Sequence, residues 1–278
     1  MLVGKVLRSP HAHARIRGID TSKAEALKGV KAVITKDDIL DLPSVYVGPA
    51  RVQQNLHHIT RNVMAREKAL YEGHAVAAVA AISTTVADEA LKLIEVDYEV
   101  LPHVTGVAAA LEVDAPLLHE DQITLGMEPA PTEPSNVAKF AEFERGDLET
   151  GFATADEVVE MEFSTEAVHQ GYIEPHAAVA RFNQDGQGEL WTCTQGHFVV
   201  RNVVAKLLDM NHADLKVIPS ELGGGFGGKT VVYLEPLVVA LSRKSGLPVK
   251  IVMSRIEVFQ ASGPTSDSFM KVKIGAKK

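Results

Sequence analysis

The feature that most constrains this chain is a glycine-rich loop at residues 223–230, which reads GGGFGGKT. Five glycines surround Phe226, and the run lies between a strand-like stretch (215–218) and a segment that is predicted to be a helix (230–244). Because glycine has no Cβ, the main-chain N–H groups of such a loop can approach an anionic or oxo ligand closely. The run therefore predicts a loop that binds a ligand through its backbone, and two different ligands fit it.

The bulk composition narrows the class of protein. The chain has 278 residues, of which 46% are apolar and 23% charged, as in a globular protein with room for two domains. The formal net charge of −8 argues against nucleic acid or an anionic membrane as a partner, because either favours a basic surface. Cys193 is the one cysteine of the sequence, which excludes a disulfide framework and a cysteine-based metal site within this chain. With no leader-like start and only a short apolar run at 75–82, the expected location is the cytoplasm.

The first part of the chain, residues 1–104, is predicted to form a compact α/β unit. Its apolar periodicity indicates strands and helices at 13–17 (strand), 23–27 (helix), 30–35 and 75–82 (strands), 86–94 (helix) and 96–100 (strand). The segment 75–82 is apolar on both faces, which is typical of a strand that is covered on both sides.

Composition changes at 105–135, where prolines accumulate with acidic residues, and we expect an extended linker there. The second unit is predicted to run over 136–278. Its expected elements are strands at 140–144, 158–163, 177–182 and 190–194, a helix burying Val200, Val204, Leu207 and Leu208, strand 215–218, helix 230–244 and strand 249–253. Strands and helices do not alternate strictly, so the predicted fold class is α+β.

The loop also satisfies the pattern of a phosphate-binding loop, in which Lys229 would bind phosphates and Thr230 a magnesium ion. The context argues against this interpretation. Only 48 residues follow Thr230, and no apolar strand ending in an aspartate follows the loop. A nucleotide hydrolase therefore remains a remote alternative.

Five segments, in order along the chain, resemble a known family. They are the loop at 223–229, GKVLRSPHAHARI at 4–16, ADEA at 87–90 with VDYEVLP at 96–102, HQGYIEPH at 169–176, and WTCTQ at 191–195. Together they resemble the molybdenum-binding subunit of the xanthine dehydrogenase and aldehyde oxidase family. The resemblance implies a hammerhead α/β domain at the start, followed by the first molybdenum-cofactor-binding domain.

The resemblance also implies roles for particular residues. Gln195 would contact an oxygen ligand of molybdenum, which suits a neutral amide donor, and the main chain at Gly225, Phe226 and Gly227 would lie against the cofactor. No residue of this chain is expected to coordinate the metal directly. Purine oxidases of the family have a glutamate after the loop lysine, where this chain has Thr230, so Thr230 is a candidate residue of the substrate pocket.

The same resemblance implies an incomplete active site. The family's glutamate base and second molybdenum-binding domain would lie on a second chain or C-terminal half. The assembled enzyme would hydroxylate an electrophilic carbon of a small molecule with oxygen from water. Its cofactor would be molybdenum-molybdopterin, in the cytosine dinucleotide form in bacteria, and electrons would pass to 2Fe–2S clusters and FAD on partner subunits. The alternative from another class is a non-catalytic two-domain scaffold or assembly fragment.

Three other groups have simpler interpretations. Glu174 stands beside Pro175 and is expected to cap a turn or pair with a cation rather than act as an acid. His169 and His176 are seven residues apart and are expected to lie on different segments, so we expect them to be structural rather than metal-binding. Cys193 lies in a predicted strand, where cysteine usually behaves as a small buried apolar group.

Overall fold

The computed structural model describes residues 1–47 and 54–278. Its strands, in chain order, are β1 (Leu2–Arg8), β2 (Ala14–Asp20), β3 (Val30–Ile34), β4 (Tyr46–Val47), β5 (Gln54–Asn55), β6 (Lys68–Ala69), β7 (Ala75–Ala81), β8 (Glu95–Val100), β9 (Glu157–Thr165), β10 (Ala177–Phe182), β11 (Gly188–Thr192), β12 (Leu215–Pro219), β13 (Val249–Val252) and β14 (Ser268–Ala276). Its α-helices are α1 (Ser22–Ala26), α2 (Leu56–Val63), α3 (Thr84–Leu93), α4 (Val107–Ala110), α5 (Leu148–Ala153), α6 (His197–Leu207), α7 (Glu235–Ser245) and α8 (Arg255–Ala261). None of the helices in the described ranges combines the length and the apolar character needed to cross a bilayer.

The chain forms two compact units, and each is built from separate stretches of sequence. One unit contains residues 1–101 and 169–264, and the other contains 102–168 and 265–278. The sequence predicts two domains that are each continuous along the chain, with boundaries at 104 and 135. Those domain boundaries stay a prediction. The helix α4 lies within the stretch that was expected to be a linker.

The larger unit is organised around a seven-stranded mixed sheet with the order β12-β11-β10-β13-β1-β7-β3. The parallel pairing of β1 with β13 joins the start of the chain to its last quarter. Strand β7 is buried along its whole length, and its alternate residues belong to two hydrophobic clusters. The prediction that this strand is covered on both faces is confirmed, and so is the α+β fold class.

Helices α6 and α7 contribute to the larger of these two clusters. Val200, Val204, Leu207 and Leu208 are all buried in it, as the periodicity predicts. Helix α7 is buried over most of its length and ends at Gly246, whose left-handed backbone (φ 66°) provides the C-cap. The prediction that this helix begins at Thr230 is wrong. The helix begins at Glu235, where Pro236 occupies the first turn and favours a start at that point.

The smaller unit contains a two-stranded antiparallel ribbon made of β9 and β14, paired over nine residues from Glu157–Ala276 to Thr165–Ser268. We refer to this pair of strands as the ribbon. Strand β14 was not predicted from the sequence. The prediction of a strand at 140–144 is wrong, because the structure has no strand there and Phe143 is almost fully exposed. A strand needs a partner edge, and Phe140 makes a single backbone hydrogen bond to Leu125 instead of joining a ladder.

Candidate functional site

The glycine-rich loop lies beside the end of β11, where Gln195 reaches it. The side-chain oxygen Oε1 of Gln195 accepts hydrogen bonds from the main-chain N–H groups of Gly227 (3.1 Å) and Lys229 (3.2 Å). The main-chain N–H of Gln195 in turn donates to the carbonyl of Lys229 (2.9 Å). The side-chain amide of Gln195 thus binds two residues that lie 32 and 34 positions later in the sequence.

These bonds fix the orientation of the Gln195 side chain. Because Oε1 accepts from two N–H groups, the amide nitrogen Nε2 must be directed elsewhere. None of the hydrogen bonds among residues 1–47 and 54–278 uses this nitrogen, and the side chain is exposed. Gln195 therefore presents a neutral donor at the surface of the loop.

Gly225 shows why the loop needs glycine at this point. A Cβ on Gly225 would lie 2.5 Å from Oε1 of Gln195 and 2.8 Å from its Cδ, which is closer than atoms can approach. The missing side chain therefore makes room for the Gln195 amide. A larger residue would push that amide away from the loop.

Phe226 has an unusual conformation at the tip of the loop. Its φ is 49°, in the left-handed region that few residues other than glycine adopt, and its neighbour Gly227 has φ 91°. The Phe226 side chain is 76% exposed, and no described atom lies within 4 Å of the place where a Cβ on Gly227 would be. The loop thus holds an apolar ring and bare main chain toward open space.

Lys229 and Glu174 form an ion pair behind the loop. The Lys229 ammonium lies 2.7 Å from Oε2 of Glu174, and the Lys229 residue is only 1% exposed. Burial by itself would raise the pKa of Glu174, but hydrogen bonds from Lys229 and from the N–H of Gly223 hold that pKa below its usual value. The expectation that Glu174 pairs with a cation is confirmed.

This pair argues against a nucleotide-binding loop. In a phosphate-binding loop the lysine must reach the phosphates, whereas here the Lys229 ammonium is buried against Glu174. The Thr230 hydroxyl donates to the carbonyl of Gly227 (2.7 Å), and α7 begins five residues later, at Glu235. The loop therefore lacks the direct entry into a helix that such a site uses.

A buried polar network, which the sequence did not reveal, supports the segment next to the loop. The Tyr172 hydroxyl shares hydrogen bonds with Nε2 of His176 (2.6 Å) and Oγ of Ser262 (2.9 Å), and His169 also contacts Ser262 (3.1 Å). Burial lowers the pKa of His176 to about 4, and the nearby Lys229 ammonium adds to this shift. The two histidines are thus structural members of the network, and the described residues contain no group of three or more His, Cys, Asp or Glu side chains that could hold a metal ion.

Two further buried residues lie near the loop, Cys193 and Glu235. Cys193 is buried, as expected, and burial raises the pKa of its thiol. Glu235, which no pattern singled out, is buried at the start of α7 and accepts hydrogen bonds from the Thr192 hydroxyl (2.7 Å) and the N–H of Tyr233 (2.9 Å). A glutamate directly before a proline, which together favour the start of a helix, was the sequence signal that could have identified it.

A separate cleft of about 380 Å³ lies at the other end of β10 and β11, near the turn that joins them. Phe182, Asp209 and Arg243 are among its lining residues, and Arg243 donates to the carbonyl of Leu208 (2.7 Å). Of its charged groups, Asp209 and Arg243 are exposed and Asp214 is half-buried, so it offers no fully buried polar site. The loop and Gln195 remain the candidate site.

The residues present at the loop fit a bulky anionic or oxo-bearing cofactor. Main chain without a side chain at Gly227 permits close approach, the missing side chain of Gly225 leaves room for the Gln195 amide, and the amide nitrogen supplies a neutral donor. The Phe226 ring supplies an apolar contact beside them. The structure thus brings together Gln195, Gly225, Phe226, Gly227 and Thr230, the residues singled out from the sequence.

Comparison with known protein families gives two matches that together span most of the chain. Residues 1–102 match the aldehyde oxidase and xanthine dehydrogenase a/b hammerhead domain, and residues 130–278 match the molybdopterin cofactor-binding domain. Among curated proteins, the chain is 35% identical to a probable hypoxanthine oxidase of Escherichia coli O157:H7, over 99% of this chain and 31% of that protein. It is also 35% identical to the carbon monoxide dehydrogenase large chain of Afipia carboxidovorans, over 100% of this chain and 34% of that protein.

Among solved structures, quinoline 2-oxidoreductase from Pseudomonas putida 86 matches with a TM-score of 0.81 and 32% identity, covering 100% of this chain and 34% of that one. The chain thus spans about a third of the length of these relatives. Both family matches and the fold agree with the resemblance seen in the five sequence segments. The chain belongs to the aldehyde oxidase and xanthine dehydrogenase family, in which it carries the hammerhead domain and a molybdopterin cofactor-binding domain.

Proposed function

We propose that this chain is part of a molybdenum hydroxylase and forms one wall of its cofactor site. The observation that carries the proposal is the fixed amide of Gln195, which is bound by the loop through its oxygen and presents its nitrogen beside bare main chain. Family membership supplies the identity of the group that such a wall would face. When bound, the molybdenum-molybdopterin supplies two-electron redox chemistry that hydroxylates an electrophilic carbon with oxygen from water.

The residues of this chain would bind and orient the cofactor rather than coordinate the metal. Gln195 would donate a hydrogen bond through Nε2 to an oxygen ligand, and a neutral donor does so without adding charge. Gly225 and Gly227 would let the main chain approach, while the Phe226 ring would cover the group and exclude water on that side. Each role matches the placement of these residues around one loop.

Thr230 is our proposed contact with the substrate pocket. It is exposed, follows the loop directly, and its hydroxyl is held by the carbonyl of Gly227. A hydroxyl at this point can bond a small polar substrate but adds no negative charge. We propose no particular substrate, since the named relatives oxidise different molecules.

The proposal extends to the cofactor form and to the partner subunits. We propose the cytosine dinucleotide form of molybdopterin, with 2Fe–2S clusters and FAD on partner subunits and the catalytic glutamate on a second molybdenum-binding chain or C-terminal half. The relatives' length supports the last point, because this chain corresponds to about a third of them.

The ribbon supplies independent support for a further polypeptide. One side of it carries six apolar residues that are each between 37% and 63% exposed: Val159, Met161, Phe163, Met270, Val272 and Ile274. The other side carries the ion pairs Lys271–Glu162 and Lys273–Glu160. An isolated two-stranded sheet is marginal in water, and an apolar patch of this kind marks an interaction surface. We propose that the second molybdenum-binding chain or C-terminal half covers the apolar side.

Metal analysis of the purified complex tests the proposal. The chain would be tagged, co-expressed with its neighbouring genes and purified, and molybdenum and iron would be measured by mass spectrometry. We expect about four irons for each molybdenum, as two 2Fe–2S clusters beside one cofactor require. A complex that assembles without any molybdenum would instead support the scaffold alternative.

A further inference from the structure

The ion pair between Lys229 and Glu174 binds the end of the loop to one short segment of the chain. The Lys229 ammonium makes three contacts, and all of them lie on one short segment. It donates to the side chain of Glu174 (2.7 Å) and to the main-chain carbonyl of Glu174 (3.0 Å), and it lies 4.8 Å from the centre of the Tyr172 ring. Taking a charged ammonium out of water is unfavourable unless such partners replace the water. The end of the loop is therefore bound to residues 172–174.

Glu174 binds the beginning of the same loop. The carboxylate oxygen Oε2 that accepts from Lys229 also accepts from the N–H of Gly223 (2.9 Å), and the N–H of Glu174 donates to the carbonyl of Gly223 (3.3 Å). One carboxylate oxygen thus joins the first and the last residues of the segment 223–229. A charge-assisted bond of this type is stronger than a neutral one and tolerates less variation in geometry.

The segment that holds the pair is itself fixed. Tyr172 is buried, and its hydroxyl is bound to His176 and Ser262. From α8, the Arg255 guanidinium donates to the main-chain carbonyls of Tyr172 (2.8 Å) and Ile173. The carboxylate of Glu174 is therefore presented from a rigid support rather than from a mobile turn.

Between the two fixed ends, Gly224 and Gly228 lie close to Tyr172, and Gly225 lies close to Gln195. The N–H of Gly228 donates to the carbonyl of Gly225 (2.7 Å), and Gln195 binds the N–H groups of Gly227 and Lys229. Phe226 and Gly227 have positive φ values and face open space. The path of this strained tip thus depends on how the residues on either side of it are held.

We propose that the Lys229–Glu174 ion pair is a positioning device that fixes the backbone path of residues 223–228 and so sets Phe226 and Gly227 against the cofactor. The first part of this inference, that the ion pair fixes the path of the loop, concerns the loop alone. The second part, that the loop sets Phe226 and Gly227 against the cofactor, rests on the proposed function. Lys229 touches neither cofactor nor substrate in this assignment, because its side chain is buried behind the loop. An apolar side chain of similar length could fill the same space, but it could not join Gly223 to the end of the loop through Glu174.

Hydrogen exchange measured by mass spectrometry on the purified complex tests the first part. In Lys229→Met, we expect the amides of a peptide covering 221–231 to exchange at least tenfold faster than in the wild type. Glu174→Asp, which keeps the charge but withdraws the carboxylate by one methylene, should give a smaller increase in the same peptide. If Lys229→Met does not accumulate as folded protein, Glu174→Asp carries the test. Peptides from β10 and β13 should be unchanged in both variants.

The Arg8–Glu257 ion pair provides a matched control. It is also largely buried and lies in the same compact unit, with Nε of Arg8 3.0 Å from the Glu257 carboxylate. We expect Arg8→Met to leave exchange at 221–231 unchanged. Loop exchange at the wild-type rate in folded Lys229→Met and Glu174→Asp, or an equal increase in β10 and β13, would overturn the positioning role.

Molybdenum content tests the second part. We expect Lys229→Met to carry at least fivefold less molybdenum than the wild type at equal complex yield, while Arg8→Met keeps the wild-type content. Wild-type molybdenum content in Lys229→Met, with a loosened loop, would show that the path of the loop does not matter to the cofactor. A wild-type complex without molybdenum would refute the proposed function, yet the exchange result would still decide the role of the ion pair.

Discussion

The glycine-rich loop and the ribbon are both exposed, but they are held in place in different ways. The loop has a conformation that is strained at Phe226, and it is bound at both ends by Gln195 and by Glu174 through Lys229. The ribbon has regular backbone geometry, yet all residues of β9 are exposed and the six apolar residues on one side of the ribbon are each 37–63% exposed. The loop is thus preorganised by this chain alone, whereas we propose that another polypeptide segment completes the ribbon.

Under the proposed function, this difference would explain how a chain that spans about a third of its relatives' length carries a defined wall of a site. A binding surface that contacts a cofactor needs its geometry fixed before binding, because ordering a loop on binding costs affinity. A surface that contacts another polypeptide can gain its order on association. We therefore expect substitutions in the loop to affect the cofactor and substitutions in the ribbon to affect assembly.

The strongest test of this division is Phe226→Asp. Aspartate tolerates the left-handed backbone at this position, so the loop should keep its path, but an unpaired carboxylate would face the packed cofactor. We expect molybdenum content to fall to background while the complex still assembles. Phe143→Asp, a change of the same kind at an exposed phenylalanine of the smaller unit, should keep the wild-type content. Normal molybdenum in Phe226→Asp would contradict the placement of the loop against the cofactor.

Gln195→Ala should have the next largest effect. It removes the donor Nε2 and frees the N–H groups of Gly227 and Lys229, but it deletes no core contact. Losing an outer partner of a metal site typically reduces activity by about 10–100-fold, and we expect turnover to fall in that range with the complex intact. Gln187→Ala, at the exposed turn after β10, is the matched control. Turnover of Gln195→Ala at the wild-type rate would remove Gln195 from the site.

The parts of this site that sequence could predict are those with local signals. The run 223–230 has a local signal of its own, whereas Gln195 was singled out only by the family resemblance, and the structure places the two in hydrogen-bonding contact. A cation partner was expected for Glu174, but its identity as Lys229, 55 residues away, depends on how the chain folds. Tyr172 and Ser262 are 90 positions apart and meet only in the folded network.

The fold shows the same limit. Strand β7 was predicted because its apolar run is its own signal, whereas the strand expected at 140–144 has no neighbouring edge to pair with. The segment of β14 alternates Met270, Val272 and Ile274 with Lys271 and Lys273, a period-two signal that the sequence analysis overlooked. Sequence patterns report what a segment can form, and pairing decides whether it does.

The ribbon side of the comparison is tested by placing charge on its apolar face. Met161 and Val272 lie opposite each other on that face, so Met161→Lys combined with Val272→Glu changes it while keeping the net charge. We expect co-purification of the second polypeptide to fall about tenfold, because burying charge at an interface is unfavourable. Exchanging the charges of Glu162 and Lys271 on the other side is the matched control and should leave assembly unchanged. Equal recovery of the partner in both double variants would show that the apolar side is not its binding surface.

The smallest effect that we expect is on the pH dependence of stability, and it separates the two regions by the burial of their polar groups. Burial, with a contribution from Lys229, lowers the pKa of His176 from 6.5 to about 4, so the unfolded chain binds more protons at this residue between those values. Stability should therefore decrease as the pH falls from 6.5 to about 4. His176 should contribute up to ~1.4 kcal/mol per pH unit to this slope.

In the ribbon, by contrast, the ion pair Lys271–Glu162 is more than half exposed on both side chains, and exposed pairs contribute little to stability. We therefore expect His176→Gln, which can still bond the Tyr172 hydroxyl, to flatten the dependence of the free energy of unfolding on pH between 4 and 6.5. Urea denaturation of the purified complex at a series of pH values measures this slope, and His212→Gln, at an exposed histidine of the same unit, is the control. An unchanged slope in His176→Gln would mean that His176 is protonated as readily in the folded protein as in the unfolded chain. The network beneath the loop would then be open to water, and the rigid support that distinguishes the loop from the ribbon would be lost.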